Sequence, residues 1–585
     1  MSQLPAGSVP LGTDTRPPGG PSRDSGRPRD GLLRDGLRHG AGLAALVLLC
    51  TLAAAAATLA LPAALGRALD AVLAGKHATG PVVECGLLLG AAALFAALDA
   101  LATAALGART TARLRTRTLA HVLAAGPRAA ERLGHGDLVA RLVGNAAQAG
   151  SAPATVVALA AGALLPAGAL VALVLTDGAT AVAFAVGLPL LALLLRLFVR
   201  ASGDSSQQYL AAQGRIAGHL VEAVRGARTV AAAGTRDREA ARILAPLPDL
   251  RRHGLRMWRV QGRSTAQAAT LLPLLQLSVL AVAGLRVASG DLSAGGLLAA
   301  WRYAVLATGI GAFVGQLNAL VRARRAQARL AEALALPAPG HGPSQLPPGT
   351  GELEFRNTVL RREGRTVLNL SPLRLPGGSV TAVVGRSGSG KSSLAVLAGR
   401  LEDPDEGVVL LDGVPLPALT HDALRAAVSQ AFARPELVGA RLRDTIALGV
   451  RHPGEARVVQ AAREARAHEF IRRLPEGYAT PCPSAPLSGG ERQRLGLARA
   501  FTRPGRLLIL DDALSGLDSA TGARVEEVLF RPSPGRACLL IAHRARTAAR
   551  ADRVVWLAEG RVRAVGTHAE LWRDPAYREV FGDEG

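Results

Sequence analysis

The chain has 585 residues, 49% of them hydrophobic and 19% charged, with a mean hydropathy of +0.24. At about 150 residues per domain this excludes a single small soluble module, and so apolar a composition excludes a wholly disordered polymer. The formal charge of +23 suits nucleic acid or an anionic membrane surface, so the placement of the cations has to decide between them.

Residues 1–38 are rich in Pro, Gly, Ser and Arg and poor in large apolar residues, a composition that predicts a disordered tail. Six apolar windows follow, at about 41–65, 82–106, 153–175, 178–199, 265–287 and 296–318. Each meets the roughly 20 residues that a helix needs to cross a hydrocarbon core about 30 Å thick. The first lies behind too long a polar stretch for a secretory signal, and five more follow it, so it reads as a first span. Their Ala and Gly content suits close packing of membrane helices.

Arginines crowd the connections after spans two and four: Arg109, Arg113, Arg115 and Arg117, then Arg196, Arg200, Arg215 and Arg225. The opposite connections carry little beyond Arg67, Lys76 and Arg286. The positive-inside rule therefore puts the long connections, the N-terminal tail and everything after residue 320 in the cytoplasm, with a lipid bilayer as partner. The net charge then needs no nucleic acid to explain it. A transmembrane domain is expected over 39–336, a Pro/Gly linker over 337–350, and a soluble α/β domain over 351–582.

The apolar strand pattern Thr381–Val384 runs straight into Gly385-Arg386-Ser387-Gly388-Ser389-Gly390-Lys391-Ser392, followed by Ser393. This is G-x-x-x-x-G-K-S, in which a glycine-rich backbone turns its N–H groups toward phosphate oxygens, the lysine reaches the terminal phosphates and the serine a Mg²⁺ ion. Lys391 is one of only two lysines in the chain, and it stands where that chemistry requires one. A second apolar run, Leu507–Leu510, ends in Asp511-Asp512, which puts one carboxylate at a strand end to hold hydrated Mg²⁺ and a second beside it to act on water.

Between these lies Leu487-Ser488-Gly489-Gly490-Glu491. With it the chain resembles the ATP-binding-cassette superfamily, of which LSGGE is the signature motif. Further segments match in the family's order: Gln430 at the Q-loop, Ser515-Gly516-Leu517-Asp518 as the D-loop, and His543 as the switch histidine. In the first half, Gly136–Leu142 and Glu222–Val230 resemble the cytoplasmic loop signatures of the family's exporter branch. The resemblance implies an all-α six-helix exporter transmembrane domain followed by an α/β P-loop ATPase, a half-transporter in the cell inner membrane. It implies a dimer that sandwiches ATP between the phosphate loop of one chain and the signature of the other. It also implies the roles: Gly385 to Ser393, Leu487 to Glu491 and Asp518 on ATP; Ser392, Gln430 and Asp511 on Mg²⁺; Asp512, His543 and Gln430 in hydrolysis.

The chain departs from the family pattern in three places. Asp512 stands where the family has a catalytic glutamate, Arg362 stands where an adenine-stacking aromatic is expected, and Thr480–Pro486 lacks the usual acidic loop before the signature. A guanidinium plane can still stack on a base, so Arg362 is a candidate for adenine. The departures resemble the degenerate half of a heterodimeric exporter that lends an intact LSGGE to a second half-transporter. The alternatives are an importer of metal–siderophore complexes on the same fold and a nucleotide-gated regulatory or assembly subunit. Asp99 and Arg302, ionisable at membrane depth, are expected to line the translocation path, to sit near an interface or to form a structural pair.

Overall fold

Ala- and Leu-rich runs with few interior prolines favour helix, and in lipid only a helix or a closed barrel satisfies its own backbone. The computed structural model describes residues 28–362, 364–450, 453–531 and 535–582. Its first half is a set of long helices: Ala41–Leu73, Thr79–Ala125, Ala152–Gly162 with Leu164–Thr176, Gly178–Arg225, Leu247–Ala288, and Ala294–Ala307 with Ile310–Leu334. Among the described residues, the stretches 41–73, 79–125, 135–176 and 269–288 are long and apolar enough to cross a membrane, and Gly178–Gly187 and Ala294–Ala307 are shorter apolar helices. The 47 residues of Thr79–Ala125 extend about 70 Å at about 1.5 Å per residue, well beyond a hydrocarbon core of about 30 Å. The surplus turns carry the Arg109–Arg117 cluster.

Two apolar windows are interrupted. Pro166 has no N–H to offer the Gly162 carbonyl, and the helix breaks at Ala163. The other break is at Thr308–Gly309. Of the two ionisable residues, Asp99 accepts a hydrogen bond from Thr51 Oγ1 at 2.8 Å and Arg302 lies 5.5 Å from the Trp301 ring. They therefore do not pair with each other. In the segment Gly136–Leu142, Arg141 is buried and held by Asp137 at 2.7 Å and Glu332 at 3.0 Å, which anchors the loop to the last long helix.

The tail predicted for 1–38 is corrected at its end: Pro28–His39 is a helix. Its composition alone does not order it, but tertiary contacts do. Arg117 pairs with Asp35 at 2.9 Å, and a Cβ on Gly36 would stand 3.1 Å from Pro153 Cγ. Residues 1–27 lie outside the described residues.

The chain divides into two compact units, 28–121 with 133–335, and 122–132 with 336–582. Among the described residues the second unit contains eleven strands: β1 Leu353–Arg362, β2 Arg365–Leu370, β3 Leu373–Leu375, β4 Val380–Val384, β5 Glu406–Leu411, β6 Val414–Pro415, β7 Val428–Phe432, β8 Leu507–Asp511, β9 Ala537–Ile541, β10 Arg553–Ala558 and β11 Arg561–Gly566. An antiparallel sheet has the order β2-β1-β5-β6, with β3 also on β1. The larger sheet has the order β11-β10-β4-β9-β8-β7, parallel from β10 to β7. Its central strands are apolar at nearly every position because both faces are covered. Leu507, Ile509 and Leu539 enter one core cluster; Leu508, Leu510 and Leu540, one residue out of phase, enter another.

The predicted linker is docked. Ser344 donates its N–H to the Ala418 carbonyl at 2.9 Å and accepts from Thr420 N at 2.9 Å. Parallel strands all finish at one edge, so the chain leaves β4 at Gly385, β8 at Asp512 and β9 at Ala542-His543 side by side.

Candidate nucleotide-binding site

The loop after β4 needs its glycines. Gly388 and Gly390 have φ of +80° and +97°, left-handed values that favour glycine, and a Cβ on Gly385 would lie 2.3 Å from the Leu557 carbonyl oxygen. Lys391 opens the helix Lys391–Ala398, and its Nζ donates to the carbonyls of Gly385 at 2.7 Å and Arg386 at 2.9 Å. Burial pushes this ammonium below the ordinary lysine range, and the nearby Asp512 and Asp511 oppose that push. Ser392 Oγ donates to Asp511 Oδ1 at 2.9 Å. Burial raises the Asp511 carboxyl, the Ser392 hydroxyl pulls it down, Asp512 adds to the rise, and His543 and Lys391 oppose it.

Asp512 and His543 meet next to this pair, with His543 Nε2 3.6 Å from Asp512 Oδ1. Asp512 has φ of +54°, an uncommon conformation for a residue with a side chain. Its carbonyl accepts from Ser515 Oγ at 3.0 Å and from Gln493 Nε2 at 3.2 Å. In the sequence Gln493 reads only as a polar residue between Arg492 and Arg494.

The signature forms its own group, and none of its hydrogen bonds among the described residues reaches the loop Gly385–Ser393. Ser488 caps the helix Gly489–Thr502 reciprocally: its Oγ accepts from Glu491 N at 3.3 Å, and Glu491 Oε2 accepts from Ser488 N at 2.8 Å. Burial raises the Glu491 carboxyl, but its bonds to the Ser488 backbone and hydroxyl outweigh that and leave it below the ordinary range. Leu487 is buried beneath, while Ser488 and Gly489 are exposed. Asp518 caps the next helix, Ser519–Leu529, by accepting from Thr521 N at 2.9 Å. Arg386, on the loop, pairs with Glu579 at 2.9 Å.

One expectation needs correction. Gln430 sits in the middle of β7 opposite Ile509, and its Oε1 would lie 2.4 Å from a Cβ on Gly399. Gly399 ends a helix of 8 residues, about 12 Å from the Ser392 end. Gln430 is therefore at the wrong end to join the hydroxyl and carboxylates, and β7 exits beside Asp511 at Phe432, with Ala433 next. Its Nε2 is buried without a hydrogen-bond partner among the described residues. Gln430→Ala is expected to leave steady-state ATPase within about twofold, since it removes a poorly satisfied amide remote from the reacting groups. A loss above tenfold would return Gln430 to the site.

Arg362 is paired: its Nη2 is 3.0 Å from Glu402 Oε2, and a guanidinium that bonds a carboxylate through its edge can still stack through its face.

The donor set fits a nucleoside triphosphate with Mg²⁺. Gly385 and Gly390 leave no room for a side chain, Ser389 Oγ is buried without a partner among the described residues, and a hydroxyl beside a carboxylate is an oxygen pair of the kind Mg²⁺ prefers. A glycine-rich loop, a buried lysine and two strand-end carboxylates, on a chain that begins with membrane-length helices, define a membrane-anchored P-loop nucleotide-binding protein. Residues 44–310 match the model for the ABC transporter transmembrane region and residues 368–515 that for the ABC transporter, and the chain belongs to the ABC transporter family.

The chain is 51% identical over 545 residues to the ABC transporter ATP-binding protein RamA of Streptomyces coelicolor, covering 93% of this chain and 86% of that one. It is 36% identical over 371 residues to the mitochondrial potassium channel ATP-binding subunit of Homo sapiens, covering 61% of this chain and 50% of that protein. A bacterial Atm1-family ABC exporter with ATP bound shares the fold at a TM-score of 0.78 and 24% identity, over 94% of this chain and 99% of the other. The protein thus carries a multi-pass transmembrane region fused to an ATP-binding cassette, the architecture of an exporter-type half-transporter.

Proposed function

We propose that this chain is one half of a dimeric, ATP-driven exporter of the cell inner membrane, with its cassette and N-terminal tail in the cytoplasm. Its partner is a second, homologous half-transporter, and its own ATP site is the slower of two. The observation that carries this reading is Asp512. The carboxylate beside Ser392–Asp511 is one methylene short of a glutamate and is drawn toward His543. A reacting group displaced by about 1 Å can lose on the order of 10²-fold in rate. The absence of an amide at the exit of β7, where Ala433 stands, supports the same reading.

In this mechanism the loop Gly385–Ser393 binds the triphosphate and Lys391 places its charge on the terminal phosphates. Bound Mg²⁺ would neutralise phosphate charge, and Ser392 and Asp511 are the residues that would hold it. Asp512 orients the attacking water and takes up its proton, and His543 holds the Asp512 carboxylate in place. Ser488, Gly489, Gly490 and Asp518 serve the nucleotide of the opposite chain. Exposed Ser488 and Gly489 at a helix N-terminus offer a hydroxyl and backbone donors to a phosphate brought by that chain. Closure of the cassettes on ATP and reopening after hydrolysis would alternate access through the helices.

The test is Mg²⁺-dependent ATPase of the full-length chain in nanodiscs, alone and co-expressed with a homologous half-transporter. Activity that emerges only with the partner is expected, and vigorous turnover by the chain alone would refute the slow-site heterodimer. A second reading, a nucleotide-gated subunit that binds ATP without turnover, is favoured by the aspartate at position 512. It predicts ATP binding but no hydrolysis even with the partner.

A further inference from the structure

Gln493 is buried, 3% exposed, on the signature helix Gly489–Thr502, and its one amide makes two bonds to the loop 512–518. Nε2 donates to the carbonyl of Asp512 at 3.2 Å, and Oε1 accepts from Gly516 N at 2.9 Å. The fit is close, since a Cβ on Gly516 would lie 2.5 Å from Gln493 Oε1. The same helix begins with the residues assigned above to the opposite nucleotide, and a Cβ on Gly490 would stand 3.1 Å from the Gly516 carbonyl oxygen. The start of the helix and the loop 512–518 are thus in contact at two points, Gly490 and Gln493.

We propose that Gln493 is a positioning residue that locks the signature helix to the backbone carrying Asp512, so that a shift of Ser488–Gly490 moves that carboxylate. The physical reason lies in the shorter side chain. A glutamate has a further torsion with which to correct a displaced backbone, whereas the place of the Asp512 carboxylate follows its main chain. That main chain is held at φ of +54°, where a side-chain-bearing residue persists only if its surroundings fix it. Gln493 and Ser515 supply the bonds that do so. The proposal rests on the reading of Asp512 as the carboxylate that acts on water.

Methionine at 493 keeps the length and unbranched shape but makes neither bond, which separates hydrogen bonding from packing. In an assembly whose partner site is silenced by amide substitution of its own catalytic carboxylate, so that turnover reports Asp512, Gln493→Met is expected to lower the remaining kcat about tenfold and leave KM for ATP within about twofold, because the phosphate loop is untouched. Amide hydrogen exchange over 512–518 should accelerate, since the Gly516 N–H loses its acceptor. Wild-type kcat in a Gln493→Met protein would overturn the proposal, because packing alone would then suffice. If that variant fails to bind ATP, Gly516→Ala decides instead: its methyl group displaces Oε1 from the other side and should reproduce the kcat loss, and a wild-type rate overturns the bridge. If no assembly hydrolyses ATP, the transporter reading falls, and hydrogen exchange over 512–518 still judges Gln493: acceleration upholds the bridge, and no change rejects it.

Discussion

Replacing Lys391 by alanine is expected to weaken ATP binding to this cassette by at least about a hundredfold. Hydrogen bonds to charged groups contribute about 1.5–3 kcal/mol each, and a lysine shared by two terminal phosphates loses two, where about 1.4 kcal/mol is tenfold. Arginine should not restore binding, although the chain uses arginine for almost every other cation. Lys391 Nζ fits as a compact point between the carbonyls of Gly385 and Arg386, where a planar, branched guanidinium would have to displace the loop. Binding of a fluorescent ATP analogue to the purified full-length protein checks both variants. Retained affinity in Lys391→Ala would mean that the loop does not hold the nucleotide.

Asp512→Glu is expected to raise turnover at this chain's own ATP site, by roughly tenfold to a hundredfold, as the added methylene moves the carboxylate about 1 Å toward the attacking water. The gain should come with a small loss of stability, because aspartate tolerates the left-handed backbone at this position better than glutamate does. A drop in the thermal midpoint of a few degrees would correspond to about 1 kcal/mol in a domain of this size. ATPase of the variant beside the wild type, each alone and with a partner whose own site is silenced, provides the measurement. An unchanged or lower rate would mean that the aspartate is already placed for the reaction and that the site is not a slow one.

Both substitutions concern residues legible from the sequence, because the chemistry of phosphate binding imposes contiguous patterns. Gly385 to Ser392 has to be one unbroken loop between a strand and a helix, and Asp511 has to follow an apolar strand. The apolar spans are legible for a similar reason, since a bilayer demands about 20 consecutive apolar helical residues whatever their neighbours. The misplacement of Gln430 shows where that legibility stops. Order along the chain put it at the site, but a strand gives each residue one height and one face, and the β7–β8 register puts it opposite Ile509 instead of at the exit. Arg362 reads from the sequence as a candidate for adenine, and its partner in the fold is Glu402, forty residues away.

Membrane-length apolar runs, a phosphate loop, an intact signature and an aspartate as second carboxylate are all readable as residue type and local spacing. The helix at Pro28–His39, the distance of Gln430 from the reacting groups, the Glu402–Arg362 pair and the bond from Gln493 on the signature helix to Asp512 come from packing. In each of these cases the outcome depends on a partner distant in sequence, and hydrogen bonds and ion pairs form between whichever groups the packed backbone brings within about 3 Å.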